Sequence, residues 1–202
     1  MVAAQAAAVN GGDFADKALG AQAAFRQIMH ALAMPGTVVS LAPDDPGLPP
    51  LDRAAAAVAL TLFDQATPVW LSPALCGPGL VERLRFLRQC PIVDDARQAA
   101  FAVFVGDEAD VPFDWFDLGE PRRPHLGATL VVHCASLTDG ARRRLTGPGI
   151  RTSATLAVAG VSDRFLAWRR GLEPRFPLGV DILFTAADAL CAVPRTIRIE
   201  EV

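Results

Sequence analysis

The run AAFAVFVG at residues 99–106 constrains this chain more than any other stretch, because it has the length of a strand and not one charged or polar side chain. A strand with one wet face alternates apolar and polar residues. An unbroken apolar run belongs to a strand covered on both faces, as in the centre of a parallel sheet. ATLVVHCASL (128–137) follows as a second such segment, and TVVSLA (37–42), PVWLS (68–72), ATLAVAGV (154–161) and DILFT (181–185) read as further strands. TIRIEEV (196–202) alternates instead, with Ile197 and Ile199 facing one way, which suits an edge strand with one solvated face.

Covering such a sheet takes helices, and the sequence supplies them between the strands. Asp16 is placed to cap a helix running to Ala33, with Phe25, Ile28, Met29 and Leu32 on one face. DRAAAAVALTLFDQ (52–65) is a strong helix former without a charge from Ala54 to Phe63, so burial on most sides is expected, and its small residues allow close approach of a neighbour. Gly79 opens an amphipathic helix with Leu80, Leu84 and Leu87 inward and Arg83, Arg85 and Arg88 outward, stopped by Pro91. DRFLAWRRGL (163–172) is a further helix. The expected fold is α/β: a three-layer domain with a mixed sheet of six or seven strands and four or more helices. A chain of 202 residues suits one domain, here 16–202, and the Ala- and Gly-rich residues 1–15 read as a disordered leader.

Several function classes drop out on composition. No uncharged helical stretch approaches the roughly 20 residues of a membrane span, and the first residues lack the basic and apolar regions of a secretory signal, so a cytoplasmic setting is expected. The net charge of −3, with acids and bases interspersed, lacks the basic footprint of a nucleic-acid binder. Cys76, Cys90, Cys134 and Cys191 form no CxxC pair and read as small buried hydrophobes. All but one of the 19 basic residues are arginine, and the exception, Lys17, lies near the start. A P-loop or a Schiff-base site needs a lysine amine, so neither is expected unless Lys17 serves.

Candidate site residues are few. LTGPGI (145–150) sets Gly147 and Gly149 around a proline, with Arg142, Arg143 and Arg144 before the turn and Arg151 and Thr152 after it. Pro148 removes one backbone donor and a strand-like run follows, so this is no P-loop; an anion site using Arg151 and a simple packed turn both stay open. Gly77-Pro78-Gly79 repeats the tripeptide before a helix, so the tripeptide alone is not diagnostic. Asp181 opens an apolar strand and is either a site carboxylate or a turn cap, while Asp64 ends the alanine-rich helix as a ligand, base or interface residue or as a solvated helix end. His133 and Cys134 are adjacent, so on a strand they point to opposite faces, and no Cys or His pair has metal-ligand spacing. There is no G-x-S-x-G elbow, and His30, His125 and His133 have no visible partner acid.

AFRQIMHALAMPG (24–36), TLFDQAT (61–67), the segment ending PHLGAT (124–129), LTGPGI, FPLGVDILF (176–184) and PRT (194–196), taken in this order and spacing, resemble the PhnH family, a subunit of the bacterial carbon-phosphorus lyase system. The resemblance implies a fold like that of pyridoxal-phosphate-dependent transferases but without the cofactor, in keeping with the single lysine. It also implies a homodimer that joins PhnG, PhnI and PhnJ. In that system PhnG, PhnH and PhnI, helped by PhnL, displace adenine from ATP with a phosphonate to give a ribose 1-phosphonate 5-triphosphate. Radical cleavage of the C-P bond belongs to PhnJ. Pro124-His125 stands where the family has Pro-Glu, which puts a carboxylate role there in doubt. No catalytic residue is carried over, and the PRT segment leaves Arg195 as a further candidate. The expected role is a subunit that does not work alone. The alternative is an independent anion- or nucleotide-binding enzyme using Gly147, Gly149, Arg151 and Asp181. A third reading makes the Ala54–Phe63 helix and the apolar strand ends the dimer and partner surfaces.

Overall fold

The computed structural model describes residues 17–41 and 47–201. Among them the elements run α1 (Lys17–Ala33), β1 (Val38–Ser40), α2 (Arg53–Leu62), β2 (Val69–Leu71), α3 (Pro78–Arg88), β3 (Phe101–Val105), β4 (Thr129–His133), β5 (Arg143–Thr146), β6 (Ala154–Leu156), α4 (Asp163–Gly171), β7 (Asp181–Ala186), β8 (Ala189–Val193) and β9 (Arg198–Glu201). Six strands form a mixed sheet in the order β1-β8-β7-β4-β3-β2, with β2, β3, β4 and β7 parallel, β8 antiparallel to β7, and β1 antiparallel to β8. A smaller antiparallel sheet, β6-β5-β9, lies apart from it.

The apolar runs fill the centre of the larger sheet, and their side chains alternate between two cores. Val103, Val131 and Leu183 face a layer built from α1, α2 and α3, whereas Ala102, Phe104, Leu130, Val132, Ile182 and Phe184 face the other side. That second side is covered by α4, by the small sheet through Leu145, Leu156 and Ile199, and by an aromatic cluster. Phe104, Phe113 and Phe165 lie there with ring centroids 5.3–5.9 Å apart, and Trp168 sits 5.5 Å from Phe113. The result is the expected three-layer α/β arrangement around a mixed sheet.

The alanine-rich helix is as buried as its composition requires. Every residue of α2 from Ala54 to Leu60 is buried, and the helix lies between α1 and α3 on top of β7 and β8. Asp52 caps it, its Oδ1 accepting the Ala55 N–H at 2.7 Å. The helix is therefore core of this chain, and the reading that made it a partner surface does not hold.

Other expectations need correction. On α1 the inward face is Ala24, Ile28 and Ala31, with Leu32 partly buried, while Phe25 and Met29 are exposed. The close approach of α1 to α2 selects small side chains, which turns the large ones out. The proposed Asp16 cap lies outside the described residues. ATLAVAGV contributes only the short β6, in the small sheet, as does the TIRIEEV strand β9. Ile197 and Ile199 are buried as expected, and β9 is an edge. Two strands, β5 and β8, were not anticipated. Arg143 and Arg144 hide β5 because they read as solvated charge; they stand in register with Glu201 and Glu200 of β9, with Arg144 Nε 3.8 Å from Glu200. β8 follows β7 through a hairpin at Ala187-Asp188, where Ala187 takes a φ of 52° that sequence signals assign to Gly or Asn. Of the cysteines, Cys90 and Cys191 are buried, Cys134 is half-buried and Cys76 is exposed. Among the described residues no helix is long and apolar enough to cross a membrane.

An uncompensated charge inside α2 is predicted to break the fold. Val58→Asp should lower the stability to urea, followed by circular dichroism, by about 3 to 5 kcal/mol. An unchanged unfolding curve would contradict the core position of Val58.

Candidate functional site

The four parallel strands give the sheet two distinct ends. At their amino ends three loops meet: the PHLGAT segment before β4, FPLGV before β7, and PRT after the antiparallel β8. Asp181 and Arg195 join them. Arg195 Nη2 is 2.6 Å from Asp181 Oδ2, its Nε is 3.2 Å from both carboxylate oxygens, and its backbone N–H donates to Oδ1 at 2.8 Å. The same guanidinium donates to the Pro124 carbonyl through Nη1 and to the Gly127 carbonyl through Nη2 at 3.5 Å. The side chains are 12% and 25% exposed for Arg195 and Asp181, so this charge-assisted, two-pronged bond is largely shielded from solvent. Close packing supports it: a Cβ on Gly127 would lie 2.5 Å from the Gly179 carbonyl and 2.9 Å from Arg195 Nη1.

The Gly-Pro-Gly turn sits beside this clamp. Gly147 and Gly149 have φ of 140° and 84°, conformations that favour glycine. A Cβ on Gly149 would come 2.4 Å from the Ala33 carbonyl at the end of α1, and one on Gly147 2.9 Å from the Thr196 carbonyl. The turn is thus wedged between α1 and the PRT segment. Pro148, Phe176, Arg195 and Thr196 border a cleft of about 250 Å³. Beyond Phe176, a second cleft of about 380 Å³ is lined by His125, Asp181 and Arg195. The fold therefore gathers the 147–149 turn, Asp181 and Arg195. Arg151 is exposed and lines neither cleft. Asp64 is exposed and closes a local turn, its carboxylate accepting the Ala66 N–H at 2.9 Å while its own N–H donates to Thr67 Oγ1 at 2.7 Å.

The carboxyl ends of the parallel strands hold a group that sequence reasoning missed. His133 ends β4, and its Nδ1 lies 3.4 Å from Asp52 Oδ2. The same oxygen accepts the Thr185 hydroxyl of β7 at 2.9 Å, while Asp52 Oδ1 caps α2. His133 thus has the partner acid that none of the histidines was expected to have. The two residues are far apart in sequence, and only the pairing of β4 with β7 and the landing of α2 on β7 bring them together. Two signals bore on it: Asp52 at the head of the alanine-rich helix, and a histidine at the end of a buried strand. Burial pushes His133 below the ordinary histidine range against the pull of the Asp52 charge, so the imidazole is neutral at neutral pH.

Neighbouring groups are chemically quiet. Burial pushes the Cys134 thiol up to about 12 and the Cys191 thiol up to about 11, so neither supplies a thiolate near neutrality. Among the described residues no group of three or more His, Cys, Asp or Glu side chains is placed to hold a metal ion.

Comparison with known proteins supplies the context for these two ends. A family model described as "Bacterial phosphonate metabolism protein (PhnH)" matches residues 12–200. The alpha-D-ribose 1-methylphosphonate 5-triphosphate synthase subunit PhnH of Rhizobium meliloti (strain 1021) is 37% identical over 189 residues, covering 94% of each chain. A Stutzerimonas stutzeri protein named as a C-P lyase subunit, HtxG, is 32% identical over 178 residues, covering 88% of this chain and 85% of its own. The segments that carry the resemblance read from the sequence fall within this match, and several of them converge on the Asp181–Arg195 clamp. The chain belongs to the PhnH family of bacterial phosphonate metabolism proteins.

Proposed function

We propose that this chain is a subunit of a ribose 1-methylphosphonate 5-triphosphate synthase, and that it acts within a cytoplasmic carbon-phosphorus lyase assembly with partners of the PhnG, PhnI and PhnJ kind. The observation that carries the reading is the end-to-end match to a subunit of that name, 94% of both chains. The amino-end geometry supports a non-autonomous role: the donors of Arg195 are engaged by Asp181 and by two backbone carbonyls of the same chain. In this role Asp181 and Arg195 hold loops in place, and Gly147 and Gly149 shape a corner beside them.

The mixed sheet with helices on its faces is compatible with a transferase fold of the pyridoxal-phosphate type that works without the cofactor. The only lysine, Lys17, stands at the first position of α1. A homodimer fits the surface of α1 and β1, where Leu19, Phe25, Met29, Met34 and Val38 are all exposed. Exposed apolar side chains grouped in this way commonly mark an interaction face.

Two measurements test these statements. The purified chain, given ATP and methylphosphonate, should release no adenine, and turnover should appear when the other subunits are added; robust turnover by the chain alone would overturn the subunit role. Met29→Glu should shift the sedimentation-derived mass from dimer to monomer while leaving the circular dichroism spectrum unchanged. A variant that keeps the mass of the wild type would place the dimer contact elsewhere.

A further inference from the structure

Buried polar atoms without a hydrogen-bond partner collect at the carboxyl ends of the parallel strands. Ser72 Oγ follows β2, Glu108 Oε2 follows β3 and His133 Nε2 ends β4, and all three lack a partner among the described residues. Buried polar atoms are as a rule paired, so three at one end of one sheet call for a reason. Glu108 also binds the rim of a cleft there, its Oε1 accepting the Ala74 N–H at 3.2 Å. That cleft measures about 460 Å³, within the range of small-molecule sites, and its lining includes Leu75, Val105, Asp107, His133 and Cys134. It opens outside the carboxyl ends of β3 and β4, the place where open α/β sheets bind ligands.

The chemistry of the lining restricts what fits. Among the described residues no arginine or lysine borders the cleft, and Asp107 does, with the Asp52 carboxylate behind His133. A phosphate or phosphonate would meet negative charge without a cationic partner. Asp52 holds Nδ1 of the imidazole, which leaves Nε2 as the nitrogen whose lone pair can accept a hydrogen bond. Nε2 is shielded from bulk water, and the His133 ring is part of the cleft wall.

We propose that this cleft is a binding site for an uncharged or cationic small molecule carrying a hydroxyl or amine, which donates to His133 Nε2 while Asp52 orients the ring. The site is separate from the amino-end clamp and stands whether or not the chain works inside a synthase. His133 is the recognition residue and Asp52 the positioning residue.

The test follows the imidazole nitrogens of His133 by nitrogen-15 correlation spectroscopy on the full chain, titrated with D-ribose, with ethylamine and with inorganic phosphate. A saturable shift of the Nε2 resonance with ribose or ethylamine, and none with phosphate, is expected. His133→Gln should weaken that binding about tenfold by isothermal calorimetry, the worth of one hydrogen bond. Should ethylamine be the better probe, Asp107→Asn, a change on an exposed rim, should lower its affinity severalfold and leave ribose unaffected. A resonance that moves with neither donor probe, or that moves equally with phosphate, overturns the proposal. So does full binding in the His133→Gln variant.

Discussion

The burial of β3, β4 and β7 on both faces is the constraint on which the rest of the structure depends. The middle residues of these strands are buried on both faces, so the chain must supply two separate apolar layers. It does so unequally. One face receives α1, α2 and α3, with α2 almost all alanine where it meets its neighbours, so that three helices pack closely. The other receives α4, a small antiparallel sheet and a group of aromatic rings, which fill the volume that bulky residues on a single helix cannot.

Parallel order then makes the two ends of the sheet different. The loops at the amino ends are fastened to one another through Arg195 and Asp181, with the Gly-Pro-Gly turn packed beside them. The carboxyl ends keep a cleft, an imidazole backed by a carboxylate, and polar atoms without partners. The opposite ends of the same strands thus carry different groups.

The sequence made the architecture readable wherever burial was written into composition. The apolar runs gave the central strands, and the alanine-rich segment gave a buried helix. It was least readable where charge or turn chemistry ran against the fold. β5 begins with two arginines whose acidic partners lie on the far end of the chain, and β8 follows a tight turn in which alanine adopts a left-handed conformation. The same logic applies to the sites. Asp181 was visible as a strand-opening carboxylate, but its partner Arg195 becomes legible only once β8 runs back alongside β7. Asp52 and His133 carry no spacing signal at all, since their meeting is a product of tertiary packing.

The central claim is that the amino end of the sheet is fastened by this chain's own ion pair and is not an open anion site. The most direct measurement is the guanidinium signal of Arg195 in the free protein, observed by nitrogen-15 spectroscopy with added pyrophosphate. The account predicts a resolved, slowly exchanging Nε–H resonance that pyrophosphate leaves unmoved. A rapidly exchanging Nε–H, or a saturable shift on adding pyrophosphate, would contradict it.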